Sequence, residues 1–414
     1  MGTKLSVLAG VSLVMLNRAL TRLSPRRRKD GWRRGAGLVL RDLPATFVLS
    51  AFALDVWSDE PANRTKALST TQAHLRERLA KSLVGSRECH VRVRRTESED
   101  VAELGDGANY SLAFEPWIDS YERFVRPEEW GERDHDDSSR DLLNIVARIA
   151  PNGCADLWFR INHVGTDGVP TQEMISRLES EWGTATPVLF PTPEQFAPHV
   201  RPRSCRSASR TDLCEMQAFT DFTPLRAWRK KVNATLPESI TVSAALMWCL
   251  SAHSELSQVR IGTTVDVPAM GHLPRCVGVV VMRPSGYRSG PNGLSGYVRE
   301  FNRQIELTRT RRSSGAKTLD ACAHLPPKLA STLLRYALEV DTRAFGTMGL
   351  TILKDAKVFG APLGDTGHQD GFIAVGSINL PTSDSRKVGC VHIKGSAARI
   401  GDYAQVIQQA IDQM

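Results

Sequence analysis

The residue types best suited to chemistry lie together in one short segment, His163-Val164-Gly165-Thr166-Asp167-Gly168. An imidazole is largely neutral near pH 7, so His163 can remove a proton from a hydroxyl, thiol or amine. Asp167 suits an ion-pair anchor for a turn better than a proton relay. Gly168 lets the backbone enter a following helix without a side-chain clash. The pattern His-x-x-x-Asp-Gly therefore predicts a general base held at a turn.

The sequence on either side predicts the elements that position this segment. Apolar side chains recur at every second position of residues 157–161, which is typical of a strand with one buried face. Residues 172–182 have the apolar spacing of an amphipathic helix, and Gly183 is a helix-ending residue. His163 is thus predicted at a turn between strand and helix, a context that gives the short motif more weight.

The rest of the chain alternates between strand and helix patterns, and a second unit begins beyond a linker. Strands are predicted within residues 39–56, 259–267, 277–282, 347–353, 372–375 and 388–393, and helices over 68–83, 222–233, 240–253, 296–308 and 402–411. The Pro-rich and then Ser/Arg-rich residues 184–215 predict a crossover linker. We therefore expect an N-terminal segment at 1–25, a first unit at 26–183 and a second unit at 216–414.

The composition is that of an ordinary globular protein, and the net charge limits the classes of binding partner that we expect. Its 414 residues, 41% hydrophobic and 24% charged, suffice for two or three domains. The formal net charge of +8 favours anionic partners, among them nucleic acid, acidic membranes and phosphate-bearing small molecules. Basic residues are scattered apart from 26–29 with Arg33 and Arg34, and they are not interleaved with aromatics. We therefore expect no nucleic-acid partner.

Cysteine spacing and the N-terminus bear on cofactors and localisation. The eight cysteines form no zinc-type pattern, so no metal is expected, and a reduced, cytoplasmic setting is the simplest interpretation. The apolar residues 5–16 are too few to span a bilayer. They fit a docked amphipathic helix. The alternative is peripheral membrane association, because Gly2 fits a loose myristoylation pattern and a basic run follows at Arg26.

The motif at residues 163–168 resembles that of the chloramphenicol acetyltransferase-like superfamily of CoA-dependent acyltransferases. This superfamily includes the acyltransferases of 2-oxoacid dehydrogenase complexes and the condensation and plant acyltransferase enzymes. Residues 219–380 are most similar to the dehydrogenase catalytic domain. Within them, residues 346–352 resemble its Gly-Thr-Phe-Thr-Ile-Ser-Asn strand, and residues 371–376 its Ala-Ile-Leu-Gly-Val-Gly strand.

This resemblance implies an α/β fold, a two-layer α+β sandwich, with two such units enclosing an active-site tunnel. It implies acyl transfer from a thioester of coenzyme A, or of a carrier protein, to a hydroxyl, amine or thiol of a small-molecule acceptor. His163 is then the general base. Thr351 occupies the family's hydroxyl position and would donate to the oxyanion. No tightly bound cofactor is implied, since acyl-CoA is a co-substrate.

The resemblance also implies a partner for Asp167. Arg28-Lys29 is similar to an Arg-Lys pair near the start of chloramphenicol acetyltransferase, whose Arg pairs with the motif's Asp. Arg28 is therefore the implied partner of Asp167, with Arg26, Arg27 and Arg160 as competing candidates.

One departure from the dehydrogenase pattern shapes the expected layout. That family carries its histidine motif at the chain end, whereas residues 391–401 contain no His-x-x-x-Asp-Gly. Two copies of one unit explain this, with the base kept in the first and the oxyanion donor in the second. A monomer can then hold a complete site, and His392 is a strand histidine. The alternative is a scaffold without chemistry that binds a ligand or protein partner, since Asn162 replaces the first histidine of the common His-His pair.

Overall fold

The computed structural model describes residues 46–95, 100–104, 108–127, 143–162, 168–202, 213–270, 273–288, 290, 293–317, 345–360 and 370–414. The strands are β1 (Thr46–Asp55), β2 (Val91–Arg95), β3 (Asp100–Leu104), β4 (Tyr110–Glu115), β5 (Leu143–Ile149), β6 (Cys154–Asn162), β7 (His199–Pro202), β8 (Leu213–Asp221), β9 (Ile261–Met270), β10 (Leu273–Met282), β11 (Met348–Ile352), β12 (Phe359–Gly360), β13 (Gly371–Val375), β14 (Leu380–Pro381) and β15 (Lys387–Ser396). The helices are α1 (Leu68–Val84), α2 (Gly168–Trp182), α3 (Thr223–Asn233), α4 (Val242–Leu250), α5 (Ser285–Arg288), α6 (Gly293–Arg309) and α7 (Ala397–Asp412).

The first unit is built on a five-stranded sheet in the order β12-β1-β6-β5-β4. Alternation along β6 sends Leu157 and Phe159 to one face and Trp158 to the other. The face with Leu157 is covered by α1 and α2, through buried residues such as Leu79 and Met174. The apolar alternation predicted for residues 157–161 therefore corresponds to a sheet buried on both faces.

The second unit is built on an eight-stranded sheet in the order β10-β9-β11-β13-β15-β8-β7, with β14 paired to β15. The strand β11 runs parallel to β9 and β13, and the other pairs are antiparallel. One face carries apolar residues such as Leu350 and Ile373, which pack with α3, α4, α6 and α7. Residues of the opposite face, such as Phe219 and Cys390, pack with residues of the first unit.

Among the described residues, a strand pair, an ion pair and an aromatic cluster join the two units. The strand β12, from the second half of the chain, pairs with β1 of the first sheet through Val48↔Gly360 and Leu49↔Phe359. Lys357 Nζ lies 2.6 Å from Glu179 Oε1 on α2. An aromatic cluster also spans the interface, with buried members Phe52, Phe124, Trp158, Phe190, Phe196 and Phe219. The units therefore share a sheet edge, an ion pair and a core.

The strands and helices predicted from the sequence are present where the described residues cover them, with small differences at their ends. Within the stretch 184–215, the described residues include β7 and the first residues of β8. Residues 1–45 lie outside the described part of the chain, and with them the N-terminal segment 1–25 and Arg28. Among the described helices, none has the length and hydropathy needed to cross a bilayer.

Phe190 provides a test of the shared core. It is 2% exposed, and its ring centroid lies 4.8 Å from that of Phe124 and 6.3 Å from that of Phe219. Phe190→Ala should lower stability by about 3–5 kcal/mol, because it leaves a cavity between the units. The neighbouring Leu189 is 50% exposed, so Leu189→Ala is the matched control and should change little. Thermal and urea unfolding would measure both, and equal effects would contradict a core at Phe190.

Candidate functional site

The predicted motif lies in the connection between β6 and α2. The strand ends at Asn162 and the helix begins at Gly168, four residues before the predicted start. The expected order of strand, motif and helix is therefore confirmed by the flanking elements. His163 and Asp167 themselves lie outside the described residues, and the role of each remains a prediction.

Gly168, the last residue of the motif, lies against the second unit. It is buried, and a Cβ atom built on it would lie 3.6 Å from Leu353 Cδ2. The Leu353 amide donates to the Val375 carbonyl at 2.9 Å, so the chain stays paired beyond the end of β11. Residues two apart in extended backbone face the same side, so Leu353 and Thr351 share a face. Gly168 at the start of α2 thus lies near Leu353, which follows β11 on the face that carries Thr351.

Thr351 is buried and hydrogen-bonded to a second threonine. Its side chain is 9% exposed, and its Oγ1 lies 2.8 Å from Thr264 Oγ1 on β9. The register explains this contact, because Leu350 pairs with Thr263, which places the next residue of each strand side by side. Both hydroxyls project from the face opposite Leu350, away from the helices of the second unit.

Sheet register places further polar residues in the same row. Thr351 is opposite Ala374, Ala374 is opposite His392, and His392 is opposite Gln217. Residues directly opposite each other project from the same face. Gln217 Nε2 donates to the Phe124 carbonyl of the first unit at 2.6 Å, so this face is turned toward that unit. His392 and Thr351 are two strand spacings apart, or about 10 Å.

His392 is a packed strand residue, as the two-copy layout implies. Its Nδ1 lies 3.3 Å from Glu215 Oε1, and Glu215 Oε2 lies 3.2 Å from Arg126 Nη2 of the first unit. All three side chains are at least 95% buried. A Cβ atom on Gly360 of β12 would lie 3.2 Å from His392 Nδ1, so only a bare backbone fits beside this ring without displacement. This cluster joins the units electrostatically.

Two further kinds of chemistry, a reactive thiol at Cys390 and a metal site, are not supported by the described residues of this face. Burial raises the pKa of the Cys390 thiol well above its ordinary value, so the thiol stays protonated at neutral pH. No group of three or more His, Cys, Asp or Glu side chains in the described ranges could hold a metal ion.

Arg160, one competitor for Asp167, is buried on β6, opposite Val48 of β1 and Asn144 of β5. Arg28 and Asp167 both lie outside the described residues. Sequence reasoning missed Thr264, Arg126 and Glu215. Alternation along β9 is the only sequence signal that could have identified the face on which Thr264 lies. It could not have identified the neighbouring strand β11, because β11 is distant in sequence.

No protein-family model matches the sequence, and no curated protein matches it. Solved structures do match. Among them is F. graminearum TRI101 complexed with coenzyme A and deoxynivalenol, at 11% identity and a TM-score of 0.53, covering 89% of this chain and 95% of that one. F. sporotrichioides TRI101 complexed with coenzyme A and T-2 has 12% identity, a TM-score of 0.52 and the same coverage.

A third neighbour is the epimerization domain from the third module of tyrocidine synthetase B. It has 9% identity and a TM-score of 0.51, covering 91% of this chain and 92% of that one. The chain therefore shares the mixed α/β fold of these solved structures, with two sheets and helices. The particular closeness to the dehydrogenase branch stays a prediction. Identities this low show the fold alone.

The buried cluster at Glu215 yields a stability prediction. Arg126→Leu should cost about 3–5 kcal/mol, because it removes a cation beside a buried carboxylate. Adding Glu215→Leu to the same chain should recover much of this loss, because it removes the carboxylate that Arg126→Leu leaves without its cation. Thermal unfolding of the single and double variants measures the effect. A double variant less stable than Arg126→Leu would contradict the assigned coupling.

Proposed function

We propose that this protein is an acyltransferase that moves an acyl group from a coenzyme A thioester to a hydroxyl, amine or thiol of a small-molecule acceptor. The observation that carries the proposal is the proximity of Gly168 to Leu353, since a Cβ atom built on Gly168 would lie 3.6 Å from Leu353 Cδ2. Gly168 ends the His-x-x-x-Asp-Gly segment, and Leu353 shares a strand face with Thr351. The fold supports it, because matched TRI101 structures are complexed with coenzyme A.

The proposed reaction assigns one task to each unit. His163 of the first unit removes the proton from the acceptor, whose oxygen, nitrogen or sulfur attacks the thioester carbonyl. The carbonyl oxygen becomes an oxyanion, which accepts a hydrogen bond from the Thr351 hydroxyl of the second unit. The carbon–sulfur bond then breaks as the carbonyl re-forms. The coenzyme A thiolate takes the proton from the imidazolium and leaves as the free thiol.

The remaining motif residues support this arrangement without touching the substrate. Asp167 would hold the turn by an ion pair with Arg28, which fixes the direction of the imidazole. Gly168 begins α2 beside Leu353, where a Cβ atom would make an ordinary van der Waals contact with Leu353 Cδ2 at 3.6 Å. The net charge of +8 favours approach of the anionic donor.

The alternative is a scaffold that binds a ligand or protein partner without turnover. An epimerization domain shares this fold, so the fold alone does not specify acyl transfer. The two hypotheses separate in one assay, in which acyl-CoA donors are screened for release of free thiol with candidate acceptors. Saturable binding of acyl-CoA without thiol release would favour the scaffold.

His163→Ala should lower the rate of thiol release by roughly 10²- to 10⁴-fold, the usual contribution of a general base. His392→Gln is the matched control, because His392 is the buried histidine paired with Glu215. It should retain turnover within about tenfold of the wild type, far above His163→Ala. Circular dichroism would verify that both variants fold. Full turnover by His163→Ala would refute the proposed base.

Thr351→Val keeps the shape of the side chain and removes its hydroxyl. If Thr351 binds the oxyanion, kcat should fall by roughly 10²- to 10³-fold, while KM for acyl-CoA changes little. Thr351→Ser retains a hydroxyl and should keep most of the activity. A valine variant as fast as the wild type would remove Thr351 from the mechanism.

A further inference from the structure

We propose that Thr264 is a positioning residue, whose hydroxyl donates a hydrogen bond to Thr351 Oγ1 and so leaves the Thr351 proton for the oxyanion. This inference rests on the proposed function, because it assigns a neighbour to the oxyanion donor of that site. The proposed site then includes a residue of β9, in addition to the histidine motif that leads into α2 and Thr351 on β11.

The geometry places the two hydroxyls as partners. Their Oγ1 atoms are 2.8 Å apart, the ordinary separation of an O–H···O hydrogen bond. Both residues lie on adjacent parallel strands whose pairing is fixed by Leu350↔Thr263. Threonine is β-branched, so its side chain has few rotamers on a strand and the position of its Oγ1 is well defined. The pair is therefore preorganised before any substrate binds.

Counting protons decides which hydroxyl must donate. Each threonine hydroxyl has one proton and two lone pairs, so only one of the two protons lies between these oxygens. If Thr351 donated to Thr264, its proton would be occupied and could not reach the oxyanion. If Thr264 donates, Thr351 Oγ1 accepts, and its own proton remains available. Accepting a hydrogen bond also makes a hydroxyl a better donor, because bonds in a chain polarise one another.

On the other flank of β11, the residue paired with Thr351 offers no substitute for this hydrogen bond. The residue directly opposite Thr351 on β13 is Ala374, whose methyl group cannot donate or accept. Thr264 is less buried than Thr351, which is consistent with a residue at the edge of the site. Loss of the Thr264 hydroxyl should therefore let the Thr351 hydroxyl rotate. Its hydrogen bond to the oxyanion would then be weaker in the transition state.

The test compares Thr264→Val, Thr264→Ser and Thr351→Val with a chain carrying both valines. Thr264→Val should lower kcat about tenfold, the effect of losing one neutral hydrogen bond, and leave KM for acyl-CoA unchanged. Thr264→Ser should restore most of the rate. The double variant should be no slower than Thr351→Val alone, because Thr264 acts through Thr351. If the valine variant folds poorly, Thr264→Ala replaces it, again compared with Thr264→Ser.

Several results would overturn the inference. One is a Thr264→Val enzyme as fast as the wild type while Thr351→Val is slow. Another is a double variant slowed by the product of the single effects, which would mean that Thr264 acts independently. Wild-type protein without thiol release would instead refute the proposed function and this inference with it. A fully active His163→Ala would refute only the proposed base, so turnover by the wild type distinguishes the two failures.

Discussion

The pairing of β12 with β1 is the constraint on which the rest of the structure depends. Phe359 and Gly360 lie far along the chain from β1, yet they occupy the edge of the first sheet. An unpaired edge exposes amides and carbonyls that must find partners, so filling it from the second unit fixes how the units meet. Gly360 suits this place because its bare backbone lies against the ring of His392.

Apolar and charged contacts contribute differently to the interface. The aromatic cluster around Phe52 and Phe190 removes large side chains from water, which provides most of the stabilisation. The buried Glu215 is instead tolerated because Arg126 and His392 approach both of its oxygens. Buried ion pairs add little net stability, but a misplaced partner is costly. The charged cluster therefore favours one docking arrangement of the two units over others.

This docking also determines which side chains can act together. The sheet face that carries Thr264 and Thr351 is opposite the one on which the described helices of its own unit pack, and residues of the first unit pack against it. At the start of α2, Gly168 lies near Leu353 of that face. The last residue of the histidine motif is therefore on the same side of the sheet as the threonine pair. The proposed base follows β6 and the proposed oxyanion donor lies on β11, so the proposed site depends on how the two sheets dock.

Local periodicity let the sequence by itself determine most elements and the context of His163. Alternation identified β6, and the helix over 68–83 ends within a residue of α1. Tertiary structure alone decided the contacts between distant residues. Thr264 and Thr351 are 87 residues apart and meet only through the β9–β11 register. The strand β12 has two residues, too few to show alternation, and β7 lies in a Pro-rich stretch that predicted a linker. Periodicity records which face of an element is buried, whereas register and docking depend on the partner that buries it.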